Sequence, residues 1–155
     1  MGNLKNSNYP KLPIILGYAG LTPFIFAALS VILNFNFIID PLLLLLNYGS
    51  VILSFIGAVS WGFVTKESSH KIIYKKYIFL WSVFPSLIAF LALLSSSSIG
   101  LGILIFGFIL AYLVELRTRV ICKIPEWYLY MRIRLTVIVT FCLCVGLASS
   151  LNSVF

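Results

Sequence analysis

The stretch YGSVILSFIGAVSWGF, residues Tyr48–Phe63, decides the fold. It is apolar enough to cross a bilayer, yet it carries many small residues: Gly49, Ser50, Ser54, Gly57, Ala58, Ser60 and Gly62. Small side chains bury little apolar area, so they would contribute little to the core of a soluble protein. In lipid, however, they let helix backbones approach closely, which is how membrane helices pack. The stretch therefore predicts a membrane helix that packs tightly against a neighbour.

One side of this helix collects most of the small and polar side chains. At about 100° per residue, Asn47, Ser50, Ser54, Gly57 and Trp61 fall on the same side. We interpret these residues as a packing stripe that faces the span before it or the span after it in sequence. We expect the serine hydroxyls to donate hydrogen bonds across that interface, to carbonyls that prolines leave unpaired in the neighbouring spans.

The whole chain has the composition of a membrane protein. Of its 155 residues, 61% are hydrophobic and 10% are charged, and the mean hydropathy is +1.10. A membrane helix needs about 20 apolar residues, and suitable runs occur at 12–33, 42–64, 77–94, 99–116 and 133–151. We predict an all-α membrane protein: a single integral membrane domain over residues 1–155, built as a bundle of five transmembrane helices, with an interfacial segment at about 125–132.

The net charge of +7 is explained by topology. All the basic residues lie before the first span, between the second and third, or between the fourth span and the start of the fifth: Lys5, Lys11, Lys66, Lys71, Lys75, Lys76, Arg117, Arg119, Lys123, Arg132 and Arg134. With five spans these segments share one side, so the positive-inside rule places the N-terminus inside and the C-terminus outside. We expect anionic lipids on the inner face as partners, and no nucleic acid. A signal peptide is the alternative for the first span, but its apolar run is too long for that.

Residues 1–11 contain no arginine and show no mitochondrial presequence. We therefore expect a bacterial inner (plasma) membrane, with the mitochondrial inner membrane as the alternative. No phosphate-binding loop, catalytic triad or pair of histidines is present, so we expect no enzyme activity, no cofactor and no metal site. We expect the three cysteines to serve as small apolar side chains in the bundle. Cys142 and Cys144 are two residues apart, so they should lie on nearly opposite faces of one helix.

Two prolines lie in the interior of predicted spans. Pro23 and Pro85 each lack a backbone N–H, so each leaves a carbonyl one turn earlier unpaired, and we predict helix kinks at both. A broken-helix binding site, as in transporters, is the alternative. Before the second span, Asp40 is expected to cap the helix that Pro41 begins.

A single acidic residue, Glu115, lies within the predicted spans. An interfacial ion pair with Arg119, four residues on, is the favoured interpretation, and an ion or proton site is the alternative. The segment that follows carries aromatic and basic residues suited to head-group depth. We predict that it forms an interfacial anchor or a docking surface, with Trp127, Tyr128, Arg132 and Arg134 as its main residues.

The motifs GYAGLTPF (17–24), YGSVILSFIGAVSWGF (48–63), WSVFPSL (81–87) and PEWYLYMRIRLTVIV (125–139) together resemble the transmembrane protein 69-like family. The positions that match its pattern are Gly17, Gly20, Pro23, Phe24, Tyr48, Gly49, Ser54, Gly57, Trp61, Gly62, Pro85, Pro125, Trp127, Arg134, Leu135 and Thr136. The resemblance implies a five-helix bundle in a bacterial or mitochondrial inner membrane and no established reaction. Before the Trp-Gly pair the family often has a basic residue or histidine, whereas this chain has Ser60.

The sequence leaves two hypotheses for function. The first is a structural, accessory or assembly component of a membrane protein complex, with other inner-membrane proteins as partners, because the loops are very short and small packing residues abound. The alternative is a carrier or channel for a small solute, proton or ion, which would use the two prolines, the polar stripe and Glu115.

Overall fold

The computed structural model describes residues 11–35, 40–66, 72–119 and 124–152. These residues form helices and no strand; the helices are α1 (Lys11–Ala19), α2 (Thr22–Ile32), α3 (Pro41–Lys66), α4 (Ile72–Leu94), α5 (Ser97–Thr118) and α6 (Glu126–Asn152). Five candidate membrane spans lie in this part of the chain, α1 and α2 together forming the first. The prediction of an all-helical protein with five spans is thus confirmed. The last helix begins at Glu126, so most of the predicted interfacial segment forms its first turns.

The first span is interrupted at the position of its proline. Since Pro23 has no N–H, the carbonyl of Ala19 lacks its usual donor, and α1 ends at Ala19. The Leu21 N–H donates to the Tyr18 carbonyl at 3.0 Å, which tightens the last turn. Pro23 then lies in the first turn of α2, where a missing N–H costs nothing. The predicted kink is therefore a break between two helices.

The ends of α2 and α3 are fixed by local hydrogen bonds. Asn34 adopts a left-handed conformation with φ 51°. The Phe35 N–H donates to the Ser30 carbonyl at 3.1 Å, which gives the pattern of a Schellman motif. Asp40 caps α3 as predicted, because its Oδ1 accepts a hydrogen bond of 2.8 Å from the Leu42 N–H.

Helix α3 contacts four other helices: α2, α4, α5 and α6. The apolar core surrounds it and includes Leu45 and Leu53 of α3, Phe24 of α2 and Leu104 of α5, each almost fully buried. The α5–α6 pair is antiparallel, and the hydroxyls of Ser98 and Ser150 meet at one end of it. The small residues of α3 therefore lie in a helix that has neighbours on several sides.

Gly57 lies at a close approach between α3 and α4. A Cβ atom at Gly57 would lie 2.5 Å from the Ser82 carbonyl oxygen and 3.2 Å from the Pro85 ring. Only glycine admits this contact. Helix α4 continues through Pro85, and the proline is buried against α3. The middle of the predicted packing stripe thus faces the span after it in sequence.

The two ends of the stripe lie differently. Ser50 is buried and Ser54 half-buried, whereas Asn47 and Trp61 are exposed. The predicted hydrogen bonds across the interface are wrong, because the Ser50 hydroxyl donates to the Leu46 carbonyl at 2.8 Å and the Ser54 hydroxyl to the Ser50 carbonyl at 2.9 Å. A helical serine readily reaches the carbonyl four residues earlier, and this local bond satisfies the hydroxyl first.

The cysteines of α6 take opposite environments, as their spacing predicts: Cys142 is buried and Cys144 is exposed. Several residues used in the sequence interpretation lie outside the described residues, namely Lys5, Lys71, Lys123 and the third cysteine, Cys122.

Candidate functional site

A buried pair of opposite charges joins α5 to α6. Arg132 Nε lies 3.1 Å from Glu115 Oε2, and the two side chains are only 6% and 5% exposed. The predicted partner of Glu115 was wrong: Arg119 is exposed on the surface. Spacing along one helix predicted the local pair, but the packing of α6 against α5 brings a more distant arginine to the carboxylate.

Two further side chains complete this polar cluster. The Tyr128 hydroxyl donates to Glu115 Oε1 at 3.4 Å, and Arg132 Nη1 donates to Thr136 Oγ1 at 3.3 Å. Tyr128, Arg132 and Thr136 are four residues apart, so they share one face of α6. Sequence reasoning gave Thr136 no role in a site, although this spacing was a signal that could have found it.

The cluster is not fully satisfied by hydrogen bonds. Arg132 Nη2 is buried and has no hydrogen-bond partner among the described residues. Glu115 Oε2 also accepts no hydrogen bond of good geometry there, so its 3.1 Å contact with Arg132 is mainly ionic. A buried donor without an acceptor costs about 1–3 kcal/mol. The guanidinium therefore retains an unused donor inside the bundle.

A cavity of about 450 Å³ lies beside the cluster, and Tyr128 and Arg132 form part of its wall. The rest of the wall is apolar or glycine and comes from α1, α2 and the break between them, and from α3, α5 and α6. Phe24, Ile56 and Phe108 are among these residues. This combination of an apolar wall with few convergent polar groups is typical of small-molecule sites.

The break in the first span forms one side of the cavity, and a tyrosine fixes its position. Gly20 and Leu21 line the cavity. The Tyr48 hydroxyl donates to the Gly20 carbonyl at 3.0 Å, and the Tyr48 ring packs edge to face on Phe24 with centroids 5.0 Å apart. The central helix thus satisfies a carbonyl at the break and holds this wall in place.

The four predicted anchor residues lie in different environments. Arg132 was expected at the head groups, but it is buried, because Glu115 attracts it into the bundle. Tyr128 belongs to the same cluster, and Trp127 packs edge to face on it at 6.1 Å. Arg134 remains exposed. The anchor segment therefore has one face that builds the cluster and another that points outward.

The remaining predicted residues do not meet at the cavity. Neither Pro23 nor Pro85 lines it, and no member of the packing stripe does. In the ranges that the structure describes, no group of three or more His, Cys, Asp or Glu side chains is arranged to hold a metal ion.

The sequence profile of the family described as Protein of unknown function (DUF3429) matches residues 9–148. The chain belongs to this family. The matched range includes the α1–α2 break, Glu115 and Arg132, so the whole candidate site lies within the family domain.

Transmembrane protein 69 of Xenopus tropicalis is 32% identical to this chain over 142 residues. The similarity covers 91% of this chain but 55% of that protein, so the chain spans about half the length of its relative. The resemblance inferred from the motifs is confirmed by both comparisons. No solved structure matches the chain.

Proposed function

We propose that this family member is a non-enzymatic accessory or assembly component of an inner-membrane protein complex. The observation that carries the proposal is that most buried polar side chains are paired within the bundle, with the Arg132 Nη2 donor as an exception. Glu115 and Arg132 neutralise each other. The buried hydroxyls of Ser30, Ser50 and Ser82 each donate to a carbonyl of their own helix. Between them the core is apolar, which suits a packed scaffold better than a polar pathway.

The proposal also includes the membrane in which the protein lies, its orientation and its partners. The bundle lies in a bacterial inner (plasma) membrane, or alternatively in the mitochondrial inner membrane, with its N-terminus inside. Its partners are anionic lipids at the inner face and other inner-membrane proteins. The distribution of lysine and arginine in the sequence supports this arrangement.

Affinity purification in mild detergent tests the accessory role. The tagged protein should retain the same membrane proteins in fixed ratio, as measured by quantitative mass spectrometry. An unrelated five-span protein with the same tag and expression level is the control. Recovery of a monodisperse protein with no partner beyond those of the control would contradict the proposal.

A carrier is the second candidate, and the helix break beside the cavity is the observation that favours it. This function predicts a flux of a small solute or proton in proteoliposomes that Glu115→Gln abolishes. The accessory role predicts no flux above that of protein-free liposomes. Monodispersity of Glu115→Gln on gel filtration must be established first, because the substitution leaves Arg132 without its counter-charge.

A further inference from the structure

The cavity at the α1–α2 break has the features of a site for a molecule dissolved in the membrane. Two residues that line it, Leu16 and Phe55, are 61% and 64% exposed, so the cavity opens sideways on the apolar surface of the bundle. A ligand that enters from the hydrocarbon region therefore reaches the cavity directly. Since most of its wall is apolar, the cavity offers an ion or sugar few polar partners.

The cavity size limits the ligand. At about 450 Å³ it lies toward the lower end of the range for small-molecule sites, about 300–1,000 Å³. This volume suits one ring-sized head with the first part of a single tail, better than a lipid with two long chains.

The charge of the polar wall defines the head of the ligand. The Arg132 guanidinium already has a counter-ion in Glu115, so the pair carries no net charge. A ligand with its own negative charge would leave that charge unmatched in a region of low dielectric. An uncharged acceptor meets no such penalty, and Arg132 Nη2 is a buried donor without a partner in the described chain.

We propose that this cavity binds an uncharged, single-tailed amphiphile with a carbonyl-bearing head, of the chemical class of the membrane quinones. The head carbonyl accepts a hydrogen bond from Arg132 Nη2, and the tail lies along the apolar wall toward Leu16 and Phe55. Because Nη2 is covered, the guanidinium turns slightly to reach the carbonyl while Nε stays on Glu115. The proposal does not depend on the accessory role.

Binding of decylubiquinone to the full chain in phosphatidylcholine nanodiscs tests this inference. Saturable binding of one molecule per chain is expected, measured by native mass spectrometry and by a rise in the melting temperature. On the unaltered protein, a hydrocarbon with the same tail but no carbonyl should not displace the quinone. Oleate and phosphatidylglycerol, which supply anionic heads, should compete poorly.

Substitutions locate the site. Val59→Phe places an aromatic ring in the cavity and should weaken saturable binding, whereas Val51→Phe, at an exposed position of the same helix that does not line the cavity, should leave binding unchanged. Arg132→Lys keeps a cation for Glu115 but removes Nη2, so we expect binding roughly tenfold to a hundredfold weaker.

Three results would overturn the proposal. Equal binding by Val59→Phe and Val51→Phe would mean that the quinone only partitions into lipid. Tighter binding of oleate or phosphatidylglycerol would mean a charged occupant. Unchanged affinity in a folded Arg132→Lys variant would remove the role assigned to the guanidinium. If Val59→Phe does not fold, the comparison with the tail-matched hydrocarbon decides the question on the unaltered protein.

Discussion

At the scale of single residues, the Glu115–Arg132 pair matters for stability because the loss of either partner leaves the other charge buried and unpaired. Removing two charges from water is expensive, and their attraction offsets that expense only while both are present. Both side chains lie within apolar helices, and no other charged group pairs with either of them among the described residues. Removing one partner is therefore expected to destabilise the protein by more than the net stabilisation that the intact pair provides.

We predict that Arg132→Met lowers the free energy of unfolding by about 3–5 kcal/mol, because it leaves the Glu115 carboxylate buried without a counter-charge. The double variant Glu115→Gln/Arg132→Met should recover much of that loss. Thermal unfolding in a mild detergent measures both. Arg134→Met, at an exposed position of the same helix, is the control and should be nearly neutral. Equal stability of Arg132→Met and Arg134→Met would show that the buried pair contributes nothing.

The Tyr48 hydroxyl has a smaller, separate effect. Tyr48→Phe removes the hydrogen bond to the Gly20 carbonyl, and we expect a loss of about 0.5–1.5 kcal/mol. Tyr77→Phe, on an exposed tyrosine, is the matched control. Hydrogen exchange at the α1–α2 junction should rise in Tyr48→Phe alone. Identical exchange in the two variants would mean that the tyrosine does not hold the break.

At the scale of helices, the small residues of α3 are not equivalent. Gly57 faces the backbone of α4, whereas an added Cβ at Gly62 would meet nothing within 4 Å. The same sequence stretch thus contains a glycine required for packing and another that packing does not require.

We predict that Gly57→Ala destabilises the protein by about 1–3 kcal/mol, since the new methyl group forces α3 and α4 apart. Gly62→Ala should be neutral or stabilising by up to about 1 kcal/mol, because alanine favours the helix. The midpoint of thermal unfolding compares the two variants. A Gly57→Ala protein as stable as Gly62→Ala would mean that the helices are not in close contact there.

The sequence allowed the helices and the middle of their interface to be predicted, because both depend on local features. The apolar runs determine the spans, Pro23 determines the break, and the position of Gly57 on one face determines a close approach. The ends of the stripe were not predictable in this way. Trp61 packs on Phe79 edge to face at 5.9 Å and is still half exposed, because coverage depends on the paths of the neighbouring helices.

The candidate site was predictable only in part for the same reason. Glu115 was recognisable as an isolated acid within a span. Its partner Arg132 lies on another helix, and the sequence contains equally suitable arginines nearby, such as Arg117 and Arg119. The cavity has no sequence signature at all, since side chains from most of the helices form it.

At the scale of the whole molecule, the distribution of charge predicts the orientation. We expect alkaline phosphatase, which is active only outside the bacterial inner membrane, to be active when fused after Ser96 or at the C-terminus. It should be inactive when fused after Arg119, which lies in a segment rich in arginine. Green fluorescent protein at the same positions is the complementary control. Alkaline phosphatase activity of the fusion after Arg119 would mean that the protein has the opposite orientation.

The Glu115–Arg132 pair also has a consequence for biosynthesis. A chain emerges from the ribosome starting at its N-terminus, so Glu115 of α5 reaches the membrane before Arg132 of α6 does. The carboxylate must therefore stay near the aqueous interface, or in the insertion machinery, until the following helix arrives. Insertion of α6 then brings the guanidinium to it, and α5 and α6 enter their positions in the bundle together. A helix that is translated later thus makes the helix before it electrically compatible with lipid.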